Sequence, residues 1–198
     1  MNNQSKLSDI KKLTFIGGQI ISRIEADAKK NEIVIGKVQV ILPKSIKGGK
    51  IEHNELYVLK YKTELDEKKL TKEGDIVVKL SSPYDAAYIT KEDEGLLITS
   101  FCIIIRNTGE NIYDKYFATF LNSQVYLNQV KSMVSGAQVP MLTIGKVKEV
   151  FIKMLPLEEQ KQIAEYYENI CEKEIVMAQI IELEKEKLNA VLGGNWNG

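Results

Sequence analysis

Residues able to carry acid–base or covalent chemistry are few in this sequence. His53 is the only histidine among 198 residues, and it follows the Gly48-Gly49 pair. A serine or cysteine triad would have to use it, but its place beside a turn favours a surface histidine without a catalytic role. The cysteines, Cys102 and Cys171, lie far apart, in an apolar run and in a helical pattern, which favours buried thiols in a reducing cytoplasm. So few histidines and cysteines predict no zinc site.

Two segments contain side chains that nucleic-acid enzymes use. SSPYD (81–85) resembles the loop with which adenine methyltransferases hold a flipped base, but Ser82 stands where the first proline is expected, and no glycine motif for a methyl donor precedes it. Asp75 and Lys79 lack the spacing of a metal nuclease centre. FIGG (15–18) is too short for a dinucleotide fingerprint, and no GxxxxGK[ST] loop is present. The sequence therefore predicts no enzymatic activity, no cofactor and no bound metal.

The charges of the chain balance, with 27 basic and 27 acidic residues. A sequence-blind nucleic-acid binder is usually basic, so a DNA-coating protein is disfavoured, whereas a reader with local basic groups stays open. With 44% apolar residues, the chain can build one core but not two large domains. No apolar run reaches the length of about 18 residues that a membrane span needs, and MNNQSKLSDI has no export signal. We expect a cytoplasmic protein that does not enter a membrane.

The first part of the chain has the pattern of a mixed α and β domain. KNEIVIGKVQVIL (30–42) and ELYVLKY (55–61) alternate as half-buried strands do. GDIVVKL (74–80) and GLLITSFCIIIR (95–106) are apolar runs opened by glycine, and the second is long enough for a central strand. In the segment 111–133, helical spacing is predicted from six apolar residues, which are Tyr113, Phe117, Phe120, Leu121, Leu127 and Val130.

A long helix is predicted after Pro156. Proline and the acidic Glu158 and Glu159 suit a first helical turn, and Gly193-Gly194 suit the end, so we expect the helix to reach Leu192. A flexible tail, 193–198, follows. The helix carries an apolar stripe interrupted by two glutamates, and such a stripe needs another surface to cover it.

The sequence leaves two alternatives for the surface that covers this stripe. The helix packs against its own domain, or it forms a pair with a second chain, antiparallel in the version we favour. In the second case the dimerisation residues are Ile163, Tyr167, Ile170, Met177, Ile181 and Leu188, followed by Val191.

Three stretches, in this order, resemble the target-recognition domain of type I restriction–modification DNA specificity subunits. They are LTKEGDIVVKLSSPYDAAYIT (70–90), LLITSFCIIIRNTGENIYDKYFATFLNS (96–123) and SGAQVPMLTIGKVKEVFIKMLPLEEQKQIAEYYENI (135–170). Within the third, MLPLEEQKQIA (154–164) is the most similar passage, although the family's proline pair is reduced to Leu155-Pro156. The resemblance is poorest in 15–60, a region in which domains that recognise different DNA sequences are expected to vary.

The resemblance implies an α+β fold: a target-recognition domain with a mixed β-sheet and packed helices (1–155), then one long spacer helix of coiled-coil type (156–192). Full-length members have two recognition domains and two such helices, whereas we find no internal repeat. A homodimer formed through the helix would restore that arrangement and read two related half-sites in inverse orientation. A helix of about 35 residues spans ~52 Å, or about 15 base pairs of DNA.

The resemblance also implies the partners. These are double-stranded DNA, a methyltransferase subunit that supplies catalysis, and a restriction subunit that translocates and cuts. The alternative is an interaction protein, a half-subunit that redirects or blocks another restriction–modification complex, which zero net charge slightly favours. DNA affinity without partners separates the two.

Three segments hold side chains suited to DNA. The turn 44–50 combines lysines with glycines that allow close backbone approach, and 79–84 and 135–138 offer donors at a strand end and a turn. An ordinary surface turn explains each of them too. Lys60 and Tyr61 are weaker candidates. The predicted DNA-binding residues are Lys44, Lys47, Lys50, Lys79, Ser81, Ser82, Tyr84, Ser135 and Gln138, with Gly136 beside them.

Overall fold

The computed structural model of the protein describes residues 3–136, 138 and 140–194. The chain combines β-strands with α-helices, and the predicted α+β class is confirmed. The strands are β1 (Gln4–Lys6), β2 (Leu13–Gly17), β3 (Gly36–Ile41), β4 (Ile46–Lys47), β5 (Lys50–Ile51), β6 (Tyr57–Tyr61), β7 (Ile76–Lys79), β8 (Ala86–Tyr88), β9 (Leu97–Ile98), β10 (Cys102–Asn107) and β11 (Phe151–Lys153). The helices are α1 (Ile21–Ile24), α2 (Asp114–Leu121), α3 (Gln124–Val134), α4 (Ile144–Lys148) and α5 (Leu157–Gly194).

The strands form two main sheets and two short pairs. The larger sheet is antiparallel, with the order β2-β10-β7-β8. The second sheet has the order β6-β3-β9, in which β3 pairs antiparallel with β6 and parallel with β9. The strands β4 and β5 form a hairpin, and β1 pairs with β11.

Strands β7 and β10 are buried on both faces, which explains their continuous apolar sequences. On one face, Ile103 and Val78 belong to the main core, which α2 and α3 cover. On the other face, Ile104 and Val77 pack with Ile98 of the second sheet. Both main sheets therefore belong to one packed unit.

The apolar run 95–106 is not one strand, contrary to the prediction. It divides into β9 and β10 at a turn in which the amide of Cys102 donates to the Thr99 carbonyl at 2.9 Å. The two halves enter different sheets, because β9 pairs with β3 and β10 pairs with β2 and β7. An apolar run does not encode such a switch, since both halves are buried.

The helical segment 111–133 is likewise divided, into α2 and α3. Ser123 begins the second helix, and its hydroxyl accepts a hydrogen bond from the amide of Tyr126. Asn122, at the end of α2, uses its side-chain amide to hold both the N–H and the C=O of Ala86, at 3.0 and 2.9 Å. The break therefore anchors α2 on strand β8.

Helix α5 has 38 residues and begins where the sequence predicts. Only its first turns pack on the domain: Gln160 and Ala164 are buried against the region of α2. The predicted tail, 193–198, lies outside the described residues from 195 onward. Within the described part of the chain, no helix is long and apolar enough to cross a membrane.

The cysteines are free thiols in different surroundings. Cys102 is buried as predicted, and burial raises the pKa of its thiol to about 12. Cys171 is only half-buried, because it lies where α5 leaves the surface of the domain.

Candidate nucleic-acid interface

The predicted lysine turn is a β-hairpin. Gly48 and Gly49 have φ angles of 54° and 79°, and they connect Lys47 to Lys50, which pair across the hairpin. Two central residues with positive φ are typical of the tight turns that suit hairpin twist, and glycine adopts them without strain. The hairpin therefore presents Lys47 and Lys50 at the surface, and Lys44 is exposed in the turn just before it, as the sequence predicts.

Glu55 pairs with two of these lysines. Its carboxylate lies 2.6 Å from Nζ of Lys44 and 3.8 Å from Nζ of Lys47. The hydrogen bond from Lys44 lowers the pKa of Glu55, so this carboxylate is ionised at neutral pH. Among the described residues, Lys50 has no carboxylate within ion-pair distance. One carboxylate therefore offsets part of the positive charge of the hairpin.

The predicted contacts of Lys79 and Tyr84 do not agree with their positions. Both side chains are buried, at 6% and 4% exposure. Nζ of Lys79 is 3.0 Å from the carboxylate of Asp85, and the hydroxyl of Tyr84 donates to the Pro140 carbonyl at 2.7 Å. These bonds hold the turn 81–85 together, so neither side chain faces solvent in this structure.

The segments 81–85 and 135–138 lie together. Ser81 forms a β-bridge with Met141, and the Tyr84–Pro140 bond joins the same two loops. Ser82, Ser135 and Gln138 are exposed there. The hairpin reaches the same strand, β8, because the amide of Tyr88 donates to the Gly49 carbonyl at 3.1 Å. All three predicted segments therefore converge on β8 and the turn before it.

A cleft of about 510 Å³ lies between the hairpin, α2 and the first turns of α5. Across it, Lys115 of α2 forms a 2.7 Å ion pair with Glu168 of α5. His53 lies at its edge, half-exposed, with Nε2 2.7 Å from the carboxylate of Asp93. Tyr167, predicted to mediate dimerisation, lines the cleft half-buried, and burial raises its pKa. This part of the stripe packs on its own domain.

Beyond Cys171, helix α5 leaves the domain, and residues 172–193 are all exposed. Of the predicted dimerisation residues, Met177, Ile181 and Leu188 keep 65%, 56% and 59% of their surface in solvent. Ile163 and Ile170, nearer the domain, are exposed at 38% and 37%. Own-domain packing therefore covers the beginning of the stripe and leaves most of its length open.

The comparison with known families decides what this arrangement is. The model of the type I restriction modification DNA specificity domain matches residues 3–190. The chain belongs to this family. The resemblance stated from the sequence is thereby confirmed.

Relatives of this specificity-domain chain are considerably longer. The specificity subunit of the type I restriction enzyme EcoKI from Escherichia coli (strain K12) is 26% identical over 167 residues, which are 80% of this chain and 36% of that subunit. The HsdS subunit from Thermoanaerobacter tengcongensis has a TM-score of 0.61 at 18% identity, with 92% of this chain and 48% of that chain covered. The type I restriction-modification S subunit from M. genitalium has a TM-score of 0.51 at 14% identity, with 93% and 44% covered. The two structures show a shared fold, and this chain spans less than half of each relative.

Sequence reasoning missed two features of this specificity domain. Gln160, in the motif LEEQ, is fully buried and joins α5 to the segment before α2. The second feature is an exposed face of β3 and β6 that carries Lys37, Gln39, Val58 and Lys60, of which only Lys60 was singled out. Strand alternation could have identified this face, because these residues occupy every second position. Tyr61 is half-buried on the opposite face.

Proposed function

We propose that this chain is the sequence-reading part of a type I restriction–modification complex. It binds double-stranded DNA, pairs through α5 and positions a methyltransferase subunit that carries out catalysis. The observation that carries the proposal is the match of the DNA specificity family over residues 3–190.

The DNA-contacting surface is centred on the β4–β5 hairpin. Lys44, Lys47 and Lys50 contact phosphates, because exposed lysines beside glycines can approach the DNA backbone closely. Ser82, Ser135 and Gln138 are exposed on the neighbouring loops and contact the sugar–phosphate backbone or base edges. Their convergence on β8 supports one continuous surface. The chain itself contributes no catalytic group to the complex.

The exposed half of α5 pairs with a second copy of the chain. The stripe of Ile170, Met177, Ile181, Leu188 and Val191 follows a broken 3–4 spacing, with intervals of 7, 4, 7 and 3 residues, and apolar heptad intervals are typical of paired helices. The chain spans less than half of its relatives, and the resemblance gives full-length members two recognition domains with paired helices. A dimer formed through α5 would place a second recognition domain beside the first. Helix α5, with 38 residues, is about 57 Å long, which sets the scale of the separation between two half-sites.

The proposal is tested with the purified chain and a randomised duplex library, alone and with a type I methyltransferase subunit. We expect enrichment of an interrupted inverted repeat, and sedimentation as a dimer at micromolar concentration. A monomer would contradict pairing. No enrichment under either condition, with the chain folded, would contradict the reading function and favour the interaction protein that redirects or blocks another complex.

A further inference from the structure

Strand β9 pairs only with the end of β3, at Val40 and Ile41. The remaining part of β3, 36–39, pairs with 58–61 of β6 alone and forms a two-stranded ribbon with one exposed face. Lys37 pairs directly with Lys60, and Gln39 pairs directly with Val58. Directly paired residues lie on the same face of a sheet, and all four are exposed. The opposite face is apolar, and its Val40 and Leu59 are fully buried.

The exposed face is unfavourable for the isolated chain. Like charges directly opposite each other in a sheet destabilise it, and neither Lys37 nor Lys60 has a carboxylate within ion-pair distance among the described residues. Val58 is 56% exposed beside them, and Ile35, two residues before Lys37, is also 56% exposed. An anionic partner with apolar groups would relieve both the charge repulsion and the exposure of apolar surface.

Duplex DNA meets both requirements. Its major groove is about 12 Å wide and admits a two-stranded β-ribbon, and neighbouring strands are about 4.8 Å apart. A glutamine can form two hydrogen bonds with adenine, and an apolar side chain can contact the methyl group of thymine. Strand β6 is the edge of its sheet, so the ribbon lies at a border of the sheet.

The ribbon is also continuous with the lysine hairpin. The chain leaves β3 at Ile41, forms the β4–β5 hairpin and returns in β6. The base of this excursion is closed by Ser45, whose hydroxyl donates to the Glu55 carbonyl at 2.8 Å. The excursion that carries Lys44, Lys47 and Lys50 therefore emerges directly from the ribbon.

We propose that the exposed face of the β3–β6 ribbon enters the major groove, where Lys37 and Lys60 bind phosphates, Gln39 reads an adenine and Val58 contacts a thymine methyl group. This inference rests on the proposed function and adds its specificity-determining residues. It adds the ribbon to the surfaces that contact base edges and leaves the hairpin to hold the DNA backbone.

Two variants of the full chain test it against a matched control. Lys37→Ala/Lys60→Ala lowers the slope of log affinity against log salt by about 0.9 for each lost phosphate contact. The control, Lys11→Ala/Lys72→Ala, removes two exposed lysines from turns outside the ribbon and leaves the slope unchanged. Gln39→Ala weakens binding to the enriched site by about 5- to 150-fold, leaves random duplex binding unchanged and removes the base preference at one position of each half-site.

A measurement on the unmutated chain does not depend on how variants fold. Acetylation of lysines, read by mass spectrometry, is expected to slow at Lys37 and Lys60 when the enriched duplex is bound, and not at Lys72. Protection by a methyltransferase subunit and not by DNA would identify a protein-binding face and overturn the proposal.

The outcomes separate the two proposals. An unmutated chain that enriches no sequence contradicts the proposed function, and with it this inference. An unmutated chain that enriches a site, with ribbon variants that behave like the control, overturns the ribbon alone. A smaller salt slope in Lys37→Ala/Lys60→Ala, together with an unchanged base preference in Gln39→Ala, overturns the reading role of Gln39.

Discussion

The side chain of Gln160 accepts a hydrogen bond from the backbone amide of Tyr113 at 2.7 Å. The same side chain donates to the carbonyls of Leu155 and Asn111, at 2.8 and 3.2 Å. Tyr113 immediately precedes α2, and Gln160 lies in the first turn of α5. One buried amide therefore holds the start of the long helix against the segment before α2.

Replacement of Gln160 by leucine should destabilise the fold. The substitution leaves the Tyr113 N–H and the carbonyls of Leu155 and Asn111 without this partner, and a polar group left unsatisfied away from water costs about 1–3 kcal/mol. Urea denaturation should show a free energy of unfolding lower by at least that amount. Gln162→Leu, at an exposed position of the same turn, is the control. Equal effects of the two would show that the buried amide does not secure α5.

Gly18 is required by a close approach of two chain segments. A Cβ atom at this position would lie 1.9 Å from the carbonyl oxygen of Thr99, whereas at Gly17 the nearest atom is Cδ1 of Ile144 at 3.4 Å. Gly18→Ala should lower the free energy of unfolding by about 1–3 kcal/mol or more, and Gly17→Ala should change it by less than about 1 kcal/mol. Thermal or urea unfolding of both variants measures the difference. Similar losses would contradict the steric explanation.

Leu188→Asp should break the proposed dimer. Each of the two copies would lose the burial of a leucine, worth about 1.5 kcal/mol or more, so the dissociation constant should rise at least about a hundredfold. Analytical ultracentrifugation measures it. Asn189→Asp, which adds the same charge next to the stripe, should have a much smaller effect. A dimer unchanged by Leu188→Asp would show that α5 is not the interface.

Glu55→Gln should strengthen binding to every duplex. The substitution removes the carboxylate that pairs with Lys44 and Lys47, so both lysines become free for phosphates, and the salt dependence becomes steeper. Lys47→Ala should do the reverse on all sequences. Titrations at several salt concentrations measure both, with Glu64→Gln, at an exposed site away from the hairpin, as the control. Weaker binding by Glu55→Gln would show that the carboxylate is needed to hold the hairpin in the conformation that binds DNA.

Gln138→Ala is expected to alter base preference, because Gln138 is exposed on the loop next to Ser82 and is suited to base edges. Library selection with this variant measures the change. An equal loss of affinity for enriched and random duplexes would assign Gln138 to the backbone contacts.

Much of the fold was predictable because it depends on local pattern. Alternation in 55–61 predicts β6, the apolar run 74–80 predicts β7, and Pro156 with its acidic neighbours predicts the start of α5. The lysines and glycines of 44–50 were recognised as an exposed turn for the same reason. Of the β3–β6 face only Lys60 was singled out, because alternation shows which residues share a face but not what that face contacts.

Sequence alone determined the class of the protein, the long helix with its apolar stripe, and the exposed lysine turn, since periodicity, proline and glycine act on their immediate neighbours. Tertiary structure alone decided that 95–106 divides between two sheets, that Lys79 and Tyr84 are buried, that Glu55 pairs with the hairpin lysines and that Gln160 holds α5. The side chains of Lys79, Tyr84, Glu55 and Gln160 each depend on a partner brought close by folding, in that order Asp85, Pro140, Lys44 and Tyr113. A side chain's type limits the bonds it can form, but only the packed chain determines which partner is within reach.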